Sequence, residues 1–141
     1  MKKTIAFLTG LLLASCAMAE DPVVVIVNPD TAVDKLDAGQ TAQIFFKQVQ
    51  SWPDGRAITP IDLKEGSPMR AEFYAKVTGR SPAQIRAYWT RQAFTGMGVP
   101  PRQLATAEDV SKFVKTTPGS IGYISKKEAD ASVKIVMDPG K

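Results

Sequence analysis

The sequence predicts an α/β fold with a mostly parallel sheet flanked by helices. Three observations predict it. The continuous apolar run Val23–Val27 has the length and β-branched composition of a strand buried on both faces, as in a parallel sheet. Strand-like runs then alternate with segments of helical spacing along the whole chain. Several of those helical segments open on cap residues, with Gly or Pro at their ends.

Taken in order, Asn28-Pro29-Asp30 ends the first strand. Asp37 is placed as an N-cap with Gln40 three residues on, and Ala38, Thr41, Ala42, Ile44 and Phe45 supply an inward face. Gly39 weakens this helix by about 1 kcal/mol relative to Ala. Trp52-Pro53-Asp54-Gly55 is a turn: Pro presets φ, Asp bonds locally and Gly accepts positive φ. A strand over 57–63 follows. Ser67 is a natural N-cap and Pro68 a natural first helical residue, because the N–H that Pro lacks has no intrahelical partner there. Met69, Phe73, Tyr74 and Val77 recur at helical spacing, and Thr78-Gly79 closes the helix. Ser81-Pro82-Ala83-Gln84 opens the next one, with Ile85, Tyr88, Trp89 and Ala93 as its apolar stripe. Thr106 with Glu108 and Asp109 starts another helix, facing inward through Val110, Phe113 and Val114. Strands over 121–124, carrying Gly122, and 132–137 finish the chain and return to the same sheet.

The 141 residues suit one domain, and no repeat or low-complexity tract interrupts them. The first residues read as an export signal over 1–19. Lys2 and Lys3 make a basic head, residues 4–14 an apolar run too short to span a bilayer, and Ala17-Met18-Ala19 a cleavage pattern. The mature chain would then be residues 20–141, in the periplasm or secreted. Leu13-Ala14-Ser15-Cys16 offers a rival lipobox, which would anchor the protein through a lipid on Cys16. The formal charge of +4 falls to +2 once Lys2 and Lys3 are removed, and the cations are scattered, so nucleic acid is not an expected partner. There is no His, and Cys16 is the only Cys. Imidazole bases, thiol nucleophiles and most zinc sites are therefore out of reach. No carboxylate pair stands at catalytic spacing, and the acids read as caps and solvated faces. No enzyme activity and no cofactor are expected.

The stretch 61–70, Ile-Asp-Leu-Lys-Glu-Gly-Ser-Pro-Met-Arg, runs from strand through a tight loop into a helix. Its first turn presents free N–H groups and the positive end of the dipole. A cation at Arg70 is disfavoured there unless an anion lies between it and those N–H groups. Ser67 and Arg70 are thus candidate oxyanion ligands. A plain cap with Arg70 in solvent fits the same residues.

Four stretches together carry a resemblance. They are Gln43-Ile44-Phe45-Phe46 leading to Ser51-Trp52-Pro53-Asp54-Gly55, and Gly66-Ser67-Pro68-Met69-Arg70-Ala71-Glu72-Phe73. Then come Tyr88-Trp89 with Phe94-Thr95-Gly96, and Pro118-Gly119-Ser120-Ile121-Gly122-Tyr123. The chain resembles the periplasmic phosphate-binding proteins of bacterial ABC importers, from about residue 23 to 136. Those proteins clamp their ligand between two lobes, and this chain is similar to the second lobe alone. The resemblance implies a single periplasmic-binding-protein-like lobe. It also implies an Arg with a Ser-Gly-Thr helix entry for phosphate. Here Ser67 is kept, Pro68 replaces the Gly and removes a donor, and Lys64 lies nearest the Arg position.

Two functions follow as expectations. One is an exported module binding phosphate or a related oxyanion in connection with ABC import. Half a cleft implies weak binding by the monomer, with a homodimer or a membrane permease as partner. The other is an extracytoplasmic interaction or signalling module that keeps the fold without the ligand.

Overall fold

The computed structural model describes residues 21–139. The expected leader over 1–19, with Cys16 and the expected cleavage point at Ala19, lies outside the described residues. The chain runs β1 (Val23–Val27), α1 (Ala38–Phe45), β2 (Thr59–Leu63), α2 (Pro68–Thr78), α3 (Pro82–Phe94), β3 (Arg102–Leu104), α4 (Ala107–Thr116), β4 (Ser120–Ser125) and β5 (Lys134–Met137). The strands form one sheet in the order β3-β2-β4-β1-β5. β2 pairs in parallel with β3 and β4, whereas β1 pairs antiparallel with β4 and β5. Four strands therefore point one way and β1 alone points the other. Full burial of Val23–Val27 is as expected, but the run is shielded between two antiparallel neighbours. Burial on both faces specifies a central strand and says nothing of its direction.

Helices cover both faces of the sheet. Successive strand residues point to opposite sides, so Gly122 and Tyr123 of β4 mark the two faces. On the Tyr123 side, Phe73 of α2 stacks on the Tyr123 ring at 4.0 Å and Phe45 of α1 packs edge-on to Phe73 at 4.8 Å. On the Gly122 side α4 comes close. A Cβ at Gly122 would lie 2.6 Å from Val110 Cγ1, which is why this position is Gly.

The caps form as the sequence predicts. Asp37 with Gln40 and Ser81 with Gln84 are reciprocal capping boxes, Thr106 accepts from the Asp109 N–H, and Gly79 ends α2 in the left-handed region. The Trp52–Gly55 turn closes a short hairpin through a Ser51–Ala57 bridge, so β2 begins at Thr59 rather than at 57. Trp52 is buried, and its indole N–H donates to the Gly119 carbonyl at 3.0 Å.

Candidate functional site

Strand β2 reads Thr-Pro-Ile-Asp-Leu and is buried from Pro60 to Leu63. Its backbone ladder to β4 covers only Thr59 with Ser120 and Pro60 with Ile121. Beyond that point side chains join the two strands. Asp62 Oδ1 accepts from the Leu63 N–H at 2.8 Å and from the Tyr123 hydroxyl. The Leu63 N–H also reaches the Tyr123 oxygen at 3.2 Å. The other carboxylate oxygen faces α2. There Oδ2 accepts from the Tyr74 hydroxyl at 2.6 Å and from Arg70 Nε at 3.3 Å. The Arg70 guanidinium lies 5.0 Å from the Tyr74 ring centroid, within cation–π range.

This cluster is buried. Asp62 is 1% exposed, Tyr74 1%, Tyr123 0% and Arg70 5%. Burial, and next the Asp62 charge, push the Tyr74 and Tyr123 hydroxyls far above the ordinary tyrosine range. Both therefore stay protonated and act as donors. The carboxylate has two hydroxyls, one backbone N–H and one guanidinium, the set of partners a buried charge requires.

The three residues expected at an oxyanion site are thus placed apart. Ser67 caps α2, its hydroxyl accepting from the Arg70 N–H at 3.3 Å. Arg70 turns its side chain neither to solvent nor to the helix entrance but inward to Asp62. The anion that accounts for a cation in the first turn is the protein's own carboxylate. Lys64 is exposed, and its carbonyl accepts from the Ser67 N–H at 3.1 Å. Asp62, Tyr74 and Tyr123 were not among the expected site residues. The signal for Asp62 was a lone acid inside an otherwise apolar strand, 8 residues before an Arg; it reads as a solvated face only if the strand is an exposed one.

The entrance to α2 opens on a groove of about 510 Å³. Asp21, Glu72, Glu128 and Lys127 line it with Ser67 and Met69, and Glu72 is paired with Lys76 at 2.9 Å. The Asp21 carboxylate accepts from the Ser125 hydroxyl and the Lys127 N–H, and these bonds hold it below the usual carboxylate range. Pro68 brings no N–H, and those of Arg70 and Ala71 are taken by the Ser67 hydroxyl and carbonyl. That leaves one first-turn donor, the Met69 N–H, for a ligand. The entrance is thus a capped helix end with a single free first-turn donor, a poor setting for a dianion.

No protein-family profile matches the chain, and no curated protein does. Solved structures do. One is from Clostridium perfringens, assigned as a phosphate ABC transporter substrate-binding protein and solved with bound phosphate. It aligns with a TM-score of 0.67 at 20% identity, over 82% of this chain and 44% of that one. An ABC-type phosphate transport receptor from Vibrio cholerae aligns with a TM-score of 0.64 at 18% identity, over 83% and 46%. PstS from Borrelia burgdorferi gives 0.58 at 16% identity, over 82% and 46%. The likeness establishes the fold, that of one lobe of a periplasmic binding protein. The chain spans less than half the length of each of these proteins. They are binding proteins rather than enzymes.

Proposed function

We propose that this chain is an exported module of substrate-binding-protein architecture that docks to a partner surface and has kept the lobe without the free-oxyanion site. The observation that carries this reading is the closed Asp62–Arg70 pair. An Arg that served a ligand in half a cleft would stand open to solvent, whereas Arg70 is 5% exposed and spent on Asp62. The capped α2 entrance, with one free first-turn N–H, supports the same reading. No helix among the described residues is long and apolar enough to cross a membrane. Under this proposal the leader over 1–19 exports the chain, with a lipid on Cys16 as the alternative anchor.

A second reading rests on a different observation, the phosphate bound to the Clostridium perfringens protein. In it Ser67, Lys64 and the Met69 N–H would meet a phosphate or related oxyanion, with Arg70 behind them. A single lobe leaves such a ligand half solvated, so a second copy or a membrane permease would have to supply the other wall.

A thermal-shift screen with phosphate, sulfate and related oxyanions tests the proposal. A ligand that binds only the folded state raises the melting temperature with its concentration. The docking reading expects no shift beyond that given by chloride at equal ionic strength. A saturable rise with one oxyanion supports the second reading.

A further inference from the structure

Two arginines and a tyrosine share one side of α3. Gln84, Ala87, Tyr88 and Arg91 recur at i, i+3, i+4 and i+7, so they form one stripe along the helix. Ile85 and Trp89 take the buried side. Arg80, from the turn before α3, folds back onto the stripe. Its guanidinium lies 4.9 Å from the Phe46 ring centroid and 5.8 Å from that of Tyr88. Together Arg80 and the four stripe residues line a groove of about 300 Å³, in which Tyr88 is half-buried and both arginines are exposed. Gln84 accepts from the Ser81 N–H at 2.8 Å, which fixes that end of the groove.

The groove is cationic and uncompensated. Residues 73–107 contain no Asp or Glu. The nearest acids before them are used elsewhere: Glu72 pairs with Lys76, and Glu65 with Arg86. The helical period puts Arg86 on the far side of α3 from the stripe. Among the described residues no carboxylate pairs with Arg80 or Arg91, and neither guanidinium donates a hydrogen bond. Contact with the two rings orders the Arg80 side chain without using its N–H donors. A cation held in this way has less side-chain freedom left to lose on binding.

We infer that this groove docks an acidic segment of a partner protein, with Arg80 and Arg91 each meeting a carboxylate and Tyr88 packing against the segment between them. Charge complementarity selects the occupant. Guanidinium forks with free donors take carboxylates bidentately, and Tyr and Arg are the side chains that concentrate binding energy in protein interfaces. The residues beyond the described ones do not supply such a segment: 1–20 and 140–141 contain Lys2, Lys3 and Lys141 and a single acid, Glu20. A twofold contact with a second copy would set these arginines against themselves. The inference rests on the docking reading, to which it gives a surface and a partner chemistry, but it uses none of Asp62, Lys64, Ser67 and Arg70. Peptide binding and the oxyanion screen can therefore fail independently.

The test is fluorescence anisotropy of a labelled oligoglutamate peptide titrated with the protein at low salt, against an oligoglutamine peptide. The expected result is saturable binding of oligoglutamate alone, weakened by added salt. Arg80→Ala and Arg91→Glu should each lose at least about tenfold in affinity. Arg80→Lys keeps the charge but replaces the fork by a point charge, and it should bind more weakly than wild type. Arg86→Ala removes a cation from the other side of the same helix and should bind as wild type does. Arg91 is exposed and makes no side-chain bond, so Arg91→Glu should melt with the wild type and separate lost binding from lost fold. Absent binding, equal binding of oligoglutamine, or an equal loss in Arg86→Ala would overturn the inference. A wild-type dimer abolished by Arg91→Glu would assign the groove to a second copy and overturn it too.

Discussion

Arg70 Nε and Asp62 Oδ2 stand 3.3 Å apart, with both side chains nearly closed to solvent. The pair joins the first turn of α2 to the end of β2, where the β2–β4 backbone ladder has stopped. It commits the guanidinium to the interior rather than to the α2 entrance.

Breaking the pair should therefore cost stability. Arg70→Met keeps the volume and leaves the Asp62 charge without its cation, a loss of about 3–5 kcal/mol for a buried pair. Lys64→Ala, at an exposed position, should stay within about 0.5 kcal/mol of wild type. Urea denaturation followed by circular dichroism measures both. Equal midpoints for the two variants would mean that Arg70 contributes nothing to the core.

The tyrosines predict an alkaline limit. Tyr74 and Tyr123 have raised folded values, from burial first and the Asp62 charge second, against an ordinary value of 10.0. In the unfolded chain they ionise near that value while the folded protein keeps their protons. Their contribution is thus complete below pH 10.0 and is lost as the pH rises above it, at about 1.4 kcal/mol per pH unit for each. Tyrosinate absorbance should show two of the 3 tyrosines ionising only as the fold opens. Ionisation of all of them with the circular dichroism unchanged would contradict this.

Two glycines should resist Ala for different reasons. At Gly122 the new Cβ meets a side chain, Val110 Cγ1 at 2.6 Å, and overpacking should cost about 1–3 kcal/mol. At Gly119 it meets the Ala57 backbone carbonyl at 2.4 Å with φ at +84°, so neither the contact nor the conformation can relax cheaply. Thermal melts should rank Gly119→Ala below Gly122→Ala. The reverse order would mean that the α4 contact is the stricter one.

Intact mass of the chain recovered from the cell envelope tests the proposed leader. A species starting at Glu20 fits cleavage after Ala19, and an acylated species starting at Cys16 fits the lipobox.

Much of this fold was legible because its local signals agree. The caps at Asp37, Ser67, Ser81 and Thr106 all form where spacing put them. What escaped had no local signal. β3 is three residues long, with Arg102 and Gln103 exposed on the sheet edge, so neither length nor alternation marks it. The reversal of β1 is a matter of partners, which a run of buried Val cannot encode. On α3, Tyr88 is half-buried against Phe46 and Ala93 is exposed, because the fully buried side of the helix is Ile85 and Trp89. At the site, Ser67 was readable as a cap, but the direction of Arg70 was not. That direction depends on Asp62 being buried eight residues earlier, and burial of one acid is set by the tertiary packing of α2 on Tyr123.

Titration calorimetry of the wild-type protein with phosphate, repeated on Lys64→Ala, tests the central claim most directly. With Arg70 committed to Asp62 and one free first-turn N–H left at the α2 entrance, no saturable heat is predicted at millimolar phosphate in either protein. Saturable heat in the wild type, reduced about tenfold in affinity by Lys64→Ala, would contradict the account and return the α2 entrance to an oxyanion.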